Sequence, residues 1–154
     1  MTNNDILKRL RYTFDYSTNK MMAISNLAEP NDKKDFMDAW LLKEEEDGYA
    51  ECSDRDLAVF LNGLIIEKRG KKEGPQPVPE EKLTNNSIFM KIRIALNFTA
   101  EDVLAVLSLA DYTLSKHELS AFFRKPGHPH YKECQDQILR KFLKGVQLKF
   151  RPAE

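Results

Sequence analysis

The chain has no excess of charge and almost no cysteine. Its 154 residues hold 24 Lys/Arg against 24 Asp/Glu, a formal net charge of +0, and two cysteines. A neutral total excludes a generic polyanion binder, whose whole domain would be strongly basic, but leaves room for a local basic patch. Two cysteines are too few for a disulfide framework and suit a reducing compartment. Long apolar runs are missing too. LNGLII at 61–66 falls far short of the roughly 20 residues a membrane helix needs, so no membrane association is expected. The opening MTNNDILKRLRY has no apolar stretch ahead of its charges, and a secretory signal is not expected there. A glycine-rich phosphate loop, a nucleophile elbow and a paired His–carboxylate cluster are all absent from the sequence. The chain therefore reads as a non-enzymatic, cytoplasmic globular protein without a cofactor. Its 42% apolar residues are enough to build a core.

What the sequence does contain is a duplication. Asn3-Asn4-Asp5-Ile6 recurs as Asn85-Asn86-Ser87-Ile88, and the same spacing aligns 3–70 with 85–152 without a gap. Arg11 meets Arg93, Lys43 meets Lys125, and Leu57, Phe60, Leu61 and Gly63 meet Leu139, Phe142, Leu143 and Gly145. Trp40 meets Phe122. Between the copies lies GKKEGPQPVPEEKLT. Its prolines lack a backbone N–H and fix φ, which predicts an extended connector. The expected organisation is a first repeat over 1–70, a Pro/Gly/charged linker over 71–84 and a second repeat over 85–154.

Apolar spacing is helical throughout, and each copy reads as four helices. The first carries Ile6, Leu7, Leu10 and Phe14 behind Asn4 as N-cap, matched by Ile88, Phe89, Ile92 and Leu96 behind Asn86. The second starts after Ser17 or Thr99. The third opens on a capping box in copy two, Ser115 with Glu118, and faces Leu119, Phe122 and Phe123 inward. Copy one offers Asn31 or Asp32 as cap, with Phe36, Met37, Trp40 and Leu41 inward. The fourth carries Leu57, Phe60, Leu61, Leu64 and Ile65, or Ile138, Leu139, Phe142, Leu143 and Val146. Gly63 and Gly145 sit inside these helices, where glycine costs up to about 1 kcal/mol against alanine. Their presence in both copies predicts close approach of another helix. The fold class expected is all-α, two tandem homologous four-helix repeats joined by a Pro-rich linker.

HPHYKECQD at 128–136 looks like a metal or thiol site. Zinc needs four N or S ligands, and His128, His130 and Cys134 give three. The matching EDGYAECSD of copy one keeps Tyr49, Glu51, Cys52 and Asp54 opposite Tyr131, Glu133, Cys134 and Asp136, but replaces both histidines. What the copies share is thus a Tyr-x-Glu-Cys-x-Asp motif leading into the fourth helix. Both aspartates suit an N-cap or first turn, and both cysteines suit packing. A thiolate activated by the helix N-terminus would need a cationic neighbour, for which Lys43 and Lys125 are the common candidates. No metal site is expected.

Charge is shared unevenly. Residues 1–76 carry 12 basic and 15 acidic side chains, and 77–154 carry 12 and 9. The second and third helices of copy two have the outline of a helix-turn-helix, a motif that places its second helix in the major groove. Candidate nucleic-acid contacts are Lys116, Arg124, Lys125, Arg140, Lys141 and Lys144. Against that, the corresponding face of copy one carries Asp32, Asp35 and Asp38, which phosphates would repel. The paired Arg11/Arg93, Lys34/Lys116 and Arg69/Arg151 suit helix-surface and C-terminal contacts better than an anion site. The leading expectation is a regulatory or binding module acting through protein–protein contact, self-association included. The alternative is a nucleic-acid binder using the basic second repeat.

NNDILKRLRY, WLLKEEEDGYAECSD and FLNGLIIEKRG in copy one resemble the YehS-like family of bacterial proteins. So do LTNNSIFMKIRIALNF and ELSAFFRKPGHPHYKECQDQILRKFLKGVQLKFRP in copy two. The resemblance spans essentially the whole chain and implies a duplicated all-helical protein. It brings no assigned activity and no catalytic residues. Copy one departs from the pattern at NLAEPNDKKDFMDAW, which lacks the capping box of copy two.

Overall fold

The computed structural model describes residues 1–30 and 34–152. Eight helices account for the regular structure of these residues, and no strand occurs among them: α1 Asn3–Phe14, α2 Thr18–Ala28, α3 Lys34–Leu41, α4 Asp54–Arg69, α5 Asn85–Leu96, α6 Ala100–Leu109, α7 Lys116–Ala121 and α8 Asp136–Phe150. The all-α repeat architecture is therefore present.

Hydroxyl caps set where helices begin. The Thr2 hydroxyl accepts from the Asp5 N–H at 3.0 Å while the Asp5 carboxylate accepts from the Thr2 N–H at 3.0 Å, a reciprocal box that satisfies two otherwise orphaned donors. Thr84 with Ser87, Thr99 with Asp102 and Ser115 with Glu118 repeat the device, and Ser17 and Ser53 cap α2 and α4. Asn4 and Asn86 are consequently not caps. Threonine takes that role one residue before the helix, and the asparagines turn into the core at 2% and 8% exposure. The expected caps of the third helix of copy one, Asn31 and Asp32, lie outside the described residues. The first helices end on left-handed residues, Asp15 and Asn97. Arg11 Nε donates to the Tyr16 carbonyl at 3.3 Å and Arg93 Nε to the Phe98 carbonyl at 3.1 Å, so this repeated arginine closes a turn.

Within each repeat the tightest packing is between second and fourth helices. A Cβ built on Gly63 would fall 1.9 Å from the Ile24 carbonyl oxygen, and one on Gly145 would fall 2.0 Å from that of Val106. Only glycine lets α4 and α8 lie directly on the backbones of α2 and α6. Around these crossings, apolar side chains from all eight helices form one continuous core, with Phe60, Phe89 and Phe142 among its largest fully buried members. Two expectations need correction. Phe36 is 55% exposed, because Met37 and Trp40 fill the interior of α3 and leave Phe36 on the rim beside the Trp40 ring. Helix α7 stops at Ala121; Phe122 is still buried just beyond it, and Phe123 lies half-buried edge-on to Phe89.

The repeats do not pack as separate bundles. α4 lies along α5 and α1 along α8, each more extensively than α1 meets α4 or α5 meets α8. The first helix of each copy thus packs mainly against the last helix of the other.

Candidate functional site

The cysteine and aspartate positions of the repeated Tyr-x-Glu-Cys-x-Asp motif are held by the asparagine pair. Asn4 Nδ2 donates to the carbonyls of Trp40 (3.0 Å) and Ala50 (2.9 Å), and its Oδ1 accepts the Cys52 N–H at 3.0 Å. Asn86 does the same with Phe122 (3.0 Å), Lys132 (2.8 Å) and the Cys134 N–H (2.9 Å). Asn3 Nδ2 reaches the Cys52 carbonyl at 3.1 Å and Asp54 Oδ1 at 2.7 Å; Asn85 reaches Cys134 and Asp136 at 3.0 and 2.7 Å. A buried amide with both donors and its acceptor engaged costs nothing in unmet hydrogen bonds. Each Asn-Asn pair therefore fixes the irregular connection into the fourth helix.

The clamp holds the backbone of each cysteine and encloses its side chain, at 5% and 4% exposure for Cys52 and Cys134. Cys52 and Cys134 are buried thiols not joined in a disulfide. Burial pushes the Cys134 thiol up to about 12, the opposite of what a nucleophile needs. Asp54 and Asp136 occupy the first turn, behind Ser53 and Gln135 as caps. His128 and His130 are exposed, and the His128 Nδ1 accepts the His130 N–H at 3.0 Å. Among the described residues no group of three His, Cys, Asp or Glu is placed to hold a metal.

Contacts between the repeats come in equivalent pairs. Asp54 Oδ2 accepts the Leu83 N–H at 2.9 Å, and Asp136 Oδ2 accepts from the Met1 amino group at 3.2 Å. The Asn85 amide and then that amino group hold the Asp136 carboxyl below its usual range. Arg69 Nη1 donates to the Ile94 carbonyl at 3.2 Å and Arg151 Nη1 to the Tyr12 carbonyl at 2.7 Å. Positions 1, 12, 54 and 69 correspond to 83, 94, 136 and 151 in the duplication. Two helix crossings, α4/α5 and α1/α8, are thus pinned in the same way.

Their surfaces differ. Between α1 and α8 lies an open depression of about 450 Å³ lined by Lys8, Arg9, Tyr12, Arg140 and Gln147, with Asp5 at its edge. Arg9 Nη1 donates to Gln147 Oε1 at 2.9 Å, and the Arg151 guanidinium lies 4.1 Å from the centre of the Tyr12 ring. Between α4 and α5 lies a cavity of about 430 Å³. There Met90, Ile94 and Ile65 stand where the other crossing has Lys8, Tyr12 and Gln147, and Gln76, Pro77 and Glu80 of the linker line it as well.

The six basic residues singled out in the second repeat are not one surface. Lys116 pairs with Glu101 and lines a separate depression with His117 and Arg93. Arg124 and Lys125 follow the six-residue α7 as exposed side chains. Arg140 joins Lys8 and Arg9 of the first repeat, Lys144 stands exposed one helical turn beyond it, and Lys141 is half-buried. Lys8, Arg9 and Tyr12 had no signal of their own in the sequence, since only the folded chain brings α1 beside α8.

The model of a protein family described as "Protein of unknown function (DUF1456)" matches residues 3–70 and again 85–151. The chain is 40% identical over 147 residues to a protein of Escherichia coli (strain K12) described as "Uncharacterized protein YehS", covering 95% of this chain and 94% of that protein. No solved structure matches the chain.

Proposed function

Since the chain belongs to this family of unknown function, twice matched by its model, we propose from its geometry that it is a non-catalytic, cytoplasmic binding module that engages a protein partner through the open α1/α8 crossing. One observation carries the reading: Arg9, Arg140, Lys8 and Tyr12 converge there from both repeats around one depression. Arginine and tyrosine combine an apolar body with donors that bind in fixed directions, and they dominate the energetics of protein interfaces. The carboxylates of Asp5 and Asp136 stand at the same crossing. They favour a protein surface of mixed charge over a continuous phosphate backbone. A second copy of the chain is a candidate partner, because its 44–47 segment, Glu-Glu-Glu-Asp, is exposed and acidic. The buried cysteine thiols and exposed histidines support the non-catalytic part of the proposal.

A photo-crosslinking residue in place of Tyr12 tests this. It is expected to capture a discrete partner, with capture lost on Arg9→Glu or Arg140→Glu and absent from the same probe placed at Asn19. Equal capture from Asn19, or capture indifferent to both charge reversals, overturns the proposal. Light scattering shows whether the partner is a second copy. Titration with duplex DNA and RNA at two salt concentrations tests the nucleic-acid alternative. Binding that weakens steeply with salt, as counterion release requires, would replace the protein reading.

A further inference from the structure

The α4/α5 cavity has the properties of a small-molecule site rather than of a packing defect. Its walls are apolar, from Ile65 and Ile66 on α4 and from Met90 and Ile94 on α5. Its volume of about 430 Å³ lies within the range of ligand pockets, which are apolar with a few placed polar groups. The polar groups here are unusually placed. Asn62 is 5% exposed, and its Oδ1 accepts from Lys91 Nζ at 2.6 Å. Its Nδ2 is buried and has no partner. Lys91, whose side chain is 12% exposed, also lies 3.1 Å from Glu80 Oε1. An ammonium has three donors, and only Asn62 Oδ1 takes one of them as a hydrogen bond; Glu80 Oε1 is an ion-pair neighbour that is itself buried without a hydrogen-bond partner. Arg69 and Lys72 line the same cavity, so three cations face one carboxylate.

An unpartnered buried amide nitrogen and a half-buried ammonium with unused donors ask for acceptors, the Glu80 oxygen asks for a donor, and the surplus of three cations over one carboxylate asks for an anion. The apolar walls ask for a hydrocarbon body. The linker roofs the cavity through Gln76 and Pro77, and Gln76 is fixed by its own bonds to the Lys72 and Gly74 carbonyls at 2.8 and 3.2 Å. We propose that this cavity binds a small amphipathic organic acid, its carboxylate directed to Lys91 and the Asn62 amide and its hydrocarbon body on Ile65, Ile66, Met90 and Ile94. The site is separate from the α1/α8 crossing and does not depend on what that crossing binds.

The probe is decanoate, with decanol as the uncharged analogue. Titrated into the isotopically labelled full chain, decanoate is expected to bind saturably and to move the amide signals of α4, α5 and 72–80 while leaving those of 8–12 and 140–147 in place. Decanol is expected to bind about tenfold more weakly. Met90→Trp, which fills the cavity, is expected to lose decanoate binding while keeping the helical circular dichroism of the native chain. Signals moving mainly elsewhere, absence of saturable binding, or equal affinity for decanol would each overturn the proposal. The wild-type titration stands whether or not the tryptophan variant folds.

Discussion

The two interrepeat crossings share one framework and present two different surfaces. Both are pinned by an aspartate on a backbone or terminal amine and by an arginine on a helix-end carbonyl. On that common frame the α4/α5 recess has apolar walls beside its charged groups and is lined in part by the linker, whereas the α1/α8 recess is lined mainly by polar and basic side chains. The residues that agree between copies include those that meet backbone, the glycines at helix crossings, asparagines on carbonyls, and aspartates and arginines at joints, together with core side chains such as Leu57/Leu139 and Phe60/Phe142. The side chains lining the two recesses differ, Lys8 against Met90, Tyr12 against Ile94 and Gln147 against Ile65, and that difference gives one fold two kinds of recess.

The framework half of this comparison is the easiest to break. Gly63→Ala and Gly145→Ala each drive a Cβ into a neighbouring carbonyl, at 1.9 and 2.0 Å. The expected loss is about 3 kcal/mol apiece by urea unfolding, after the small gain in helix propensity. A large loss for only one would show that the two second–fourth helix crossings are not equivalent. Next come Asn4→Ala and Asn86→Ala. Each strands two carbonyls and one N–H, and each is expected to lose about 2 kcal/mol, again by urea unfolding. Arg69→Ala removes one exposed interrepeat hydrogen bond, worth about 1 kcal/mol or less, whereas Arg151→Ala also removes a 3.4 Å contact with Asp15 Oδ1 and the contact with the Tyr12 ring. The thermal midpoint should fall somewhat further for Arg151→Ala than for Arg69→Ala; equal falls would mean that the Asp15 and Tyr12-ring contacts add nothing.

The smallest expected effect depends on pH. The native Asp136 carboxyl is held below its usual range, mainly by the Asn85 amide. A depressed acid favours the folded state above its unfolded pKa, and that contribution fades as pH falls through the lower, native value. Asp136→Asn should therefore narrow its stability gap to the parent chain on the acid side of the ordinary aspartate range, a difference measurable by unfolding at a series of acid pH values.

Much of this frame was legible in the sequence. Helical spacing, the duplication and the glycines could be read because they depend on local periodicity and on one copy checking the other. The asparagine pair was visible too, but its role was not. An asparagine ahead of an apolar stripe has the pattern of a cap, and only the path of residues 40–52 shows that its amide serves a distant backbone. Pairing across the repeats was illegible for a different reason. Nothing in two tandem four-helix patterns says that α1 will choose α8 over α4, so Lys8, Arg9 and Tyr12 gave no sign that they would meet Arg140. The α4/α5 cavity was hidden in the same way, since Asn62, Lys91 and Glu80 come from three segments.

Exchange of first helices between copies also changes what the 71–84 linker contributes. Each repeat on its own would leave an apolar flank of α1 and α4, or of α5 and α8, facing water. Two such units would then associate to a degree set by their abundance. A short covalent tether replaces that abundance with an effective concentration on the order of millimolar. The fold's integrity is therefore independent of dilution, and an assembly that would otherwise be bimolecular survives in a cell holding few molecules of it.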